Sequence, residues 1–91
     1  MRRIRASISG CVQGVGYRRW AEEAARERGL VGWVRNLPDG QVQTLAEGTS
    51  EAVAAFLEAL GQGPRYAQVA EVSTEDLPAC PGEFANFQII H

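Results

Sequence analysis

The chain has 91 residues, of which 45% are hydrophobic and 22% are charged, and its formal net charge is −2. This length fits one domain over residues 1–91, and the composition is that of an ordinary soluble globular protein. A negative net charge disfavours broad nucleic-acid binding, and no apolar run approaches the ~18 residues of a membrane span. The N-terminal residues alternate in polarity and lack the apolar core of a signal peptide. We therefore expect a cytoplasmic monomer with no nucleic-acid or membrane partner.

The first half of the chain predicts a strand, a helix and two further strands. Polarity alternates over Arg3–Ser9, as in a half-buried strand. After a glycine-rich segment, apolar residues recur at helical spacing from Tyr17, and Gly29 stands where a helix C′ residue belongs. Two strands follow at Leu30–Asn36 and Gln41–Glu47, joined by a turn that contains proline and glycine.

The second half predicts a helix and two strands. The helix opens with Thr49 or Ser50 as its N-cap and closes at Gly61. A fourth strand covers Ala67–Thr74, and Phe87–Ile90 forms a short final strand. The order βαββαβ, followed by this small C-terminal strand, predicts an α+β fold of the ferredoxin-like sandwich type, with a mostly antiparallel sheet and both helices on one face. Because many activities share this fold, function has to be argued from a site.

The glycine-rich segment Gly10–Arg18 is the strongest candidate site. Glycine lets the backbone turn successive N–H groups toward one point, and a helix N-terminus follows directly. Arg18 adds a permanent charge and a planar fork of donors that suits phosphate. The alternative is a plain turn whose glycines only permit tight packing. The junction of strand end and helix start favours a phosphate cradle.

Asn36 is the second candidate, because it ends a predicted strand and shares a strand face with Gly32 and Val34. By itself, an asparagine at a strand end bonds its own turn. The predicted topology, however, makes the first two strands neighbours or near neighbours. We therefore expect Asn36 and Arg18 to come together.

Two segments carry a resemblance to the acylphosphatase family. Gly10–Arg18 is similar to the signature G-x-V-Q-G-V-x-[FY]-R. Gly32–Asn36, with Asp39, Gly40 and Val42 after it, resembles the second signature, G-W-V-x-N-x-x-D-G-x-V. Weaker similarity extends over the whole chain. The resemblance implies that the protein hydrolyses the carboxyl–phosphate anhydride of small-molecule acyl phosphates to carboxylate and inorganic phosphate, with no metal or other cofactor.

The same resemblance implies roles for single residues. Arg18 would bind the substrate phosphate, and Asn36 would position the attacking water. Gly16 occupies a variable position of the signature and adds a flexible residue to the loop. The predicted phosphate-binding backbone N–H groups are those of Gln13, Gly14, Val15, Gly16, Tyr17 and Arg18.

The residue inventory of the loop agrees with this chemistry. Phosphoryl transfer requires mainly positioning and charge stabilisation. An acyl phosphate leaves as a carboxylate, which needs no general acid, whereas a phosphate monoester leaves as an alkoxide and usually needs one. The glycine-rich motif contains no His, Asp or Glu. A site without an acid favours an activated substrate.

Cysteine chemistry offers an alternative that the spacing disfavours. Cysteine-dependent phosphatases use C-x5-R, whereas six residues separate Cys11 from Arg18. Cys11 and Cys80 do not make a disulfide framework, and with one histidine they cannot fill a zinc site. We expect His91 to be a solvated tail.

A second alternative is a non-catalytic ferredoxin-like module that binds anions or RNA. RNA recognition on such a sheet needs exposed aromatic residues and a basic surface. Trp33 is a candidate aromatic residue, although we expect it to pack in the core or at the junction of sheet and helices. The net charge of −2 and the lack of an RNP-like motif oppose this alternative.

Overall fold

Seven elements follow one another along the chain in a computed structural model that describes all 91 residues. Their order confirms the ferredoxin-like fold predicted from the sequence. No helix has the length and apolar character needed to cross a bilayer. The elements are β1 (Arg2–Cys11), α1 (Tyr17–Glu27), β2 (Val31–Asn36), β3 (Val42–Gly48), α2 (Ser50–Gln62), β4 (Gln68–Leu77) and β5 (Phe87–Ile89).

The five strands form one sheet in the order β4-β1-β3-β2-β5. β1 pairs antiparallel with β3 and β4, and β2 pairs antiparallel with β3, while β5 runs parallel to β2. Because β3 lies antiparallel between β1 and β2, these two strands run in the same direction. Their C-terminal ends therefore meet at the same end of the sheet, which brings the glycine-rich loop and Asn36 together.

The core lies between one face of the sheet and the two helices. Alternate residues of β1 point into it, as the period of a strand requires, and Ile4 and Ile8 are fully buried. Phe56 of α2 meets Phe87 of β5 edge to face, with ring centroids 5.9 Å apart. Both rings are fully buried, so the short final strand is fixed by core packing as well as by its pairing with β2.

β1 is longer than the sequence predicted. The strand continues past Ser9 because a bulge between Ser9 and Gly10 shifts its register against β4. Gly10 has φ of 122°, and a Cβ there would lie 2.2 Å from the carbonyl oxygen of Gln68. Glycine is therefore required for close approach inside the strand, where the sequence indicated the start of a loop.

Other boundaries also differ from the prediction, by one to three residues, among them the ends of α2 and β4. α2 passes Gly61 and ends one residue later, and the left-handed residue after it is Gly63, with φ of 70°. β4 continues beyond Thr74 to Leu77. Its added residues carry charges that pair across to β1, in the bridges Arg2–Asp76 and Arg5–Glu75.

Trp33 lies on the opposite face of the sheet from the core, so its predicted position was wrong. Its neighbour Val34 is fully buried, and successive residues of a strand point to opposite faces. The guanidinium of Arg35 stands 5.1 Å above the Trp33 ring. The indole is thus half-buried beneath an arginine on the open face.

Candidate active site

The loop between β1 and α1 takes its shape from two glycines. Gly14 and Gly16 have φ of 77° and 81°, in the left-handed region that costs other residues about 1–2 kcal/mol. A Cβ at either position would meet nothing within 4 Å, so the backbone conformation, not space, selects glycine. Gly16 is also the N-cap of α1 and supplies no side chain to cap it. Gly16, which the sequence predicted to make the loop flexible, therefore sets the turn into the helix.

The backbone N–H groups of Gln13–Arg18 have no acceptor within the protein. The first backbone hydrogen bond of α1 runs from Trp20 N to Gly16 O over 3.1 Å, and no earlier N–H of the loop or helix start donates. Such groups carry the positive end of the helix dipole. We call these six N–H groups the cradle. Of the residues that carry them, Gly14, Gly16, Tyr17 and Arg18 line the cleft described below, whereas Gln13 and Val15 do not. Free N–H groups at the start of a helix suit an anion.

Arg18 lies in the first turn of α1 and is half-buried. Its guanidinium enters none of the six salt bridges of the structure and donates no hydrogen bond to another residue. A partly buried arginine usually has a carboxylate or a carbonyl as partner. Arg18 has neither, which leaves its fork of donors free beside the cradle.

Asn36 carries the one buried side-chain polar atom in the structure that lacks a hydrogen-bond partner, its Oδ1. Leaving such an atom unpaired costs about 1–3 kcal/mol. Asn36 is the last residue of β2 and pairs with Val42 of β3, so its backbone position is fixed by the sheet. An orphaned amide in a rigid strand is a group positioned for a ligand or a water.

Arg18 and Asn36 line the same cleft, of about 410 Å³. This volume falls within the range of small-molecule sites. The lining contains no aspartate, glutamate or cysteine, but it includes His91, which lies outside the glycine-rich motif and was expected to be a solvated tail. The nine lining residues are Val12, Gly14, Gly16, Tyr17, Arg18, Arg19, Asn36, Ile89 and His91.

The side chain of Gln13 fastens the loop to the turn that follows Asn36. Its Nε2 donates to the carbonyl oxygens of Leu37 and Gln41, each over 2.8 Å. The sequence predicted a role only for the backbone N–H of Gln13 and not for its side chain. The available signal was a long amide side chain inside a loop otherwise made of small and apolar residues. Through Gln13, the cradle and the strand that carries Asn36 form one unit.

Tyr17 contributes packing, and only its backbone belongs to the cradle. The ring is 1% exposed, and the hydroxyl donates to the carbonyl oxygen of Leu60 over 2.7 Å, which joins α1 to α2. Burial raises the pKa of the Tyr17 hydroxyl, so the phenol stays neutral. Val15 packs against the core and so anchors the loop to it.

Cys11 and His91 are placed differently with respect to the cleft. Cys11 lies exposed at the end of β1 and is not a lining residue, and Cys80 is also free. No group of three or more His, Cys, Asp or Glu residues is arranged to hold a metal ion. His91 is exposed, as expected of a solvated tail, yet it lines the cleft.

The fold and the cleft define a class: a ferredoxin-like α+β protein with an anion-binding loop at the start of its first helix. The acylphosphatase family model matches residues 4–89. The chain is 50% identical over 84 residues to an acylphosphatase of Marinobacter nauticus, covering 92% of this chain and 90% of the relative. It is 44% identical over 90 residues to that of Methylococcus capsulatus, covering 99% and 97%.

A solved structure agrees with these sequence matches. The crystal structure of acylphosphatase from Bacillus subtilis superposes with a TM-score of 0.95 at 36% identity, and the match covers 100% of both chains. The chain therefore belongs to the acylphosphatase family, and it is an enzyme with acylphosphatase activity.

Proposed function

We propose that the cradle and Arg18 hold the phosphate of an acyl phosphate while Asn36 positions the water that attacks it, without a metal. The observation that carries this proposal is the meeting of three unpaired polar groups in one cleft.

Binding follows from the charges of the two partners. A phosphate presents several oxygens, and each accepts hydrogen bonds from the N–H groups of Gln13–Arg18. The planar fork of Arg18 donates to two of these oxygens at once. Because these donors are held by the loop and by the first turn of α1, they need little reorganisation as negative charge shifts during the reaction.

The reaction is an attack of water on phosphorus, opposite the acyl oxygen. A new P–O bond forms to the water, and the bond between phosphorus and the acyl oxygen breaks. The electron pair leaves with the carboxylate, and one water proton passes to a phosphate oxygen. An asparagine amide has no basicity to remove that proton, so the proposed role of Asn36 is to orient the water by hydrogen bonding.

The absence of a carboxylic acid side chain from the cleft lining suits this leaving group. A carboxylate is a weak base and departs without protonation, whereas an alkoxide usually does not. Divalent cations such as Mg²⁺ are bound through carboxylates, and none lines the cleft. These features of the donor set support metal-independent hydrolysis.

Release of inorganic phosphate from benzoyl phosphate, measured with EDTA present, tests the proposal. Wild-type protein should turn over, and Arg18→Ala should lose about 10³-fold in kcat/KM, because one preorganised donor typically accounts for ~10²–10³ and Arg18 also carries the charge. Inorganic phosphate should inhibit the variant more weakly. Arg65→Ala is the matched control, since Arg65 is exposed, has no salt bridge and does not line the cleft.

Three results would count against parts of the proposal. No release above background would reject the hydrolysis itself. Equal activity of Arg18→Ala and wild type would remove Arg18 from phosphate binding. Activity that EDTA abolishes would overturn metal independence and leave the other two roles in place.

A further inference from the structure

The turn between β2 and β3 holds a carboxylate that has no role in the proposed reaction. Asp39 stands three positions after Asn36, is exposed, and enters none of the six salt bridges of the structure. Its Oδ1 accepts from the backbone N–H of Gln41 and its Oδ2 from the Gln41 side-chain Nε2, each over 3.0 Å. The first of these bonds is ordinary for an aspartate in a turn, whereas the second is an addition to it. The carboxylate therefore holds the main chain and the side chain of Gln41 at once.

The carbonyl of Gln41 joins this turn to the loop that carries the cradle. It accepts from the N–H of Leu37 over 2.8 Å, which closes the turn, and from Nε2 of Gln13 over 2.8 Å. The Leu37 carbonyl accepts from the same Nε2 over 2.8 Å. An amide nitrogen has two hydrogens, and both are used here. Gln13 satisfies them only while the turn keeps the two carbonyl groups side by side.

These contacts lie outside the cleft and connect two parts of the site. The side chains of Asp39, Gln41 and Gln13 do not belong to the cleft lining. Gln13 is, however, the first residue of the cradle, and Leu37 follows Asn36 directly at the end of β2. A shift of the turn would therefore change the distance between the cradle and Asn36.

We infer that Asp39 is a positioning residue for the hydrolysis, which acts through Gln41 and Gln13 to hold the cradle at a fixed distance from Asn36. This role rests on the proposed function, since it takes the phosphate to be bound by the cradle and the water by Asn36. Attack requires the water and the phosphorus to be aligned, and a displacement of ~1 Å costs about 10²-fold in rate. Because the phosphate is held by the loop and the water by the strand, the turn that joins them sets this alignment.

Steady-state hydrolysis of benzoyl phosphate by Asp39→Ala tests this role. We expect kcat/KM to fall about fivefold, the equivalent of one net hydrogen bond, and the fall to lie in kcat. Inhibition by inorganic phosphate should be unchanged, because the cradle itself is intact. Asp39→Asn should restore most of the activity, since an asparagine oxygen accepts the same Gln41 N–H. Asp76→Ala should keep the wild-type kcat as the matched control, because this exposed aspartate accepts from Arg2 over 2.8 Å at the other end of the sheet.

A double-mutant cycle with Gln13→Ala separates positioning from a general loss of stability. If Asp39 acts through Gln13, its removal should change little once the Gln13 side chain is gone. With a loss of about tenfold for Gln13→Ala alone, the double variant should also lose about tenfold in kcat/KM, where independent effects would give about fiftyfold.

The outcomes distinguish the role of Asp39 from the proposed function. A kcat in Asp39→Ala that equals or exceeds that of wild type overturns the role of Asp39, while the hydrolysis stands. Two further results overturn it as well: multiplied losses in the double variant, or an Asp39→Asn variant as slow as Asp39→Ala, which would make the charge and not the hydrogen bond the required feature. If wild type releases no phosphate above background, the proposed function fails, and the role of Asp39 fails with it.

Discussion

The two ends of the sheet treat their polar groups in opposite ways. Where β1 begins and β3 ends, Arg3 Nε lies 2.7 Å from Glu47 Oε1, and Arg3 Nη2 lies 2.7 Å from Glu83 Oε1. The N–H of Cys80 donates to Glu47 Oε1 over 2.8 Å. At the other end, Arg18 and the buried Oδ1 of Asn36 have no partner.

This difference separates stability from function. Buried charge is tolerated only when it is paired and hydrogen-bonded, and the Arg3–Glu47 end meets that condition and holds the loop between β4 and β5. Unpaired polar groups lower stability until a ligand binds to the folded state and offsets the loss. We therefore expect substitutions at the first end to change the free energy of unfolding and substitutions at the cleft to change turnover.

Glu47→Gln should give the largest effect, a loss of about 2–3 kcal/mol in the free energy of unfolding. The substitution removes the charge from a residue that is 1% exposed and leaves the guanidinium of Arg3 with the half-exposed Glu83 as its one charged partner. Urea denaturation measures the loss, and kcat of the folded variant should be unchanged. Glu75→Gln is the matched control in an exposed pair with Arg5, where we expect less than about 1 kcal/mol.

The same carboxylate should make stability depend on pH. The Cys80 N–H, with the Arg3 guanidinium, holds the pKa of Glu47 below its ordinary value of 4.5, although burial acts the other way. The unfolded chain then binds this proton more readily, so stability rises with pH in this range. The contribution is complete above pH 4.5 and disappears as pH falls through the lower folded pKa. Wild type and Glu47→Gln should converge there, and parallel curves would contradict the assignment.

Asn36→Ala should show the reverse behaviour. We expect kcat for benzoyl phosphate to fall about 10²-fold, because the positioned amide is lost, while inhibition by inorganic phosphate stays the same. Stability should hold or rise by up to about 1 kcal/mol, since a buried oxygen without a partner is removed. Asn86→Ala, at an exposed asparagine before β5, is the control. A large loss of stability with normal kcat would make Asn36 a structural residue.

Gln13→Ala should give the smallest effect of the three substitutions. Unlike the other two, it should lower both the activity and the free energy of unfolding. It removes two hydrogen bonds that join the cradle to the turn after β2. We expect kcat/KM to fall about tenfold and the free energy of unfolding to fall by about 1 kcal/mol. Steady-state kinetics and urea denaturation measure the two changes. Full activity in this variant would show that the cradle keeps its shape without the Gln13 side chain.

The sequence was sufficient for the order of elements and for the meeting of the two candidate segments. Periodicity reports local structure, and one intervening strand between β1 and β2 brings Arg18 and Asn36 to one end of the sheet. The sequence was insufficient where two interacting residues are far apart along the chain. Arg3 and Glu47 are 44 positions apart, and neither lies in a motif that would link them.

The predicted ends of the strands were wrong for the same physical reason, because they depend on partners that are distant in the sequence. The sequence predicted that Gly10 lies in a loop. It lies inside β1 instead, where a Cβ would clash with the backbone of Gln68. β4 extends through charged residues because Arg2 pairs with Asp76 across the strands. The unpaired Oδ1 of Asn36 could not be predicted from the sequence either, because whether a buried atom has a hydrogen-bond partner depends on the residues that surround it in the folded protein.

The most direct test of the contrast between the two ends is a titration with inorganic phosphate, followed by the amide signals in a two-dimensional ¹H–¹⁵N NMR spectrum. The backbone signals of Gln13–Arg18 should shift together with one saturable dissociation constant. The signal of Cys80, whose N–H already has Glu47 as acceptor, should stay in place. No saturable shift in the cradle, or larger shifts around Cys80 than in the loop, would contradict the account.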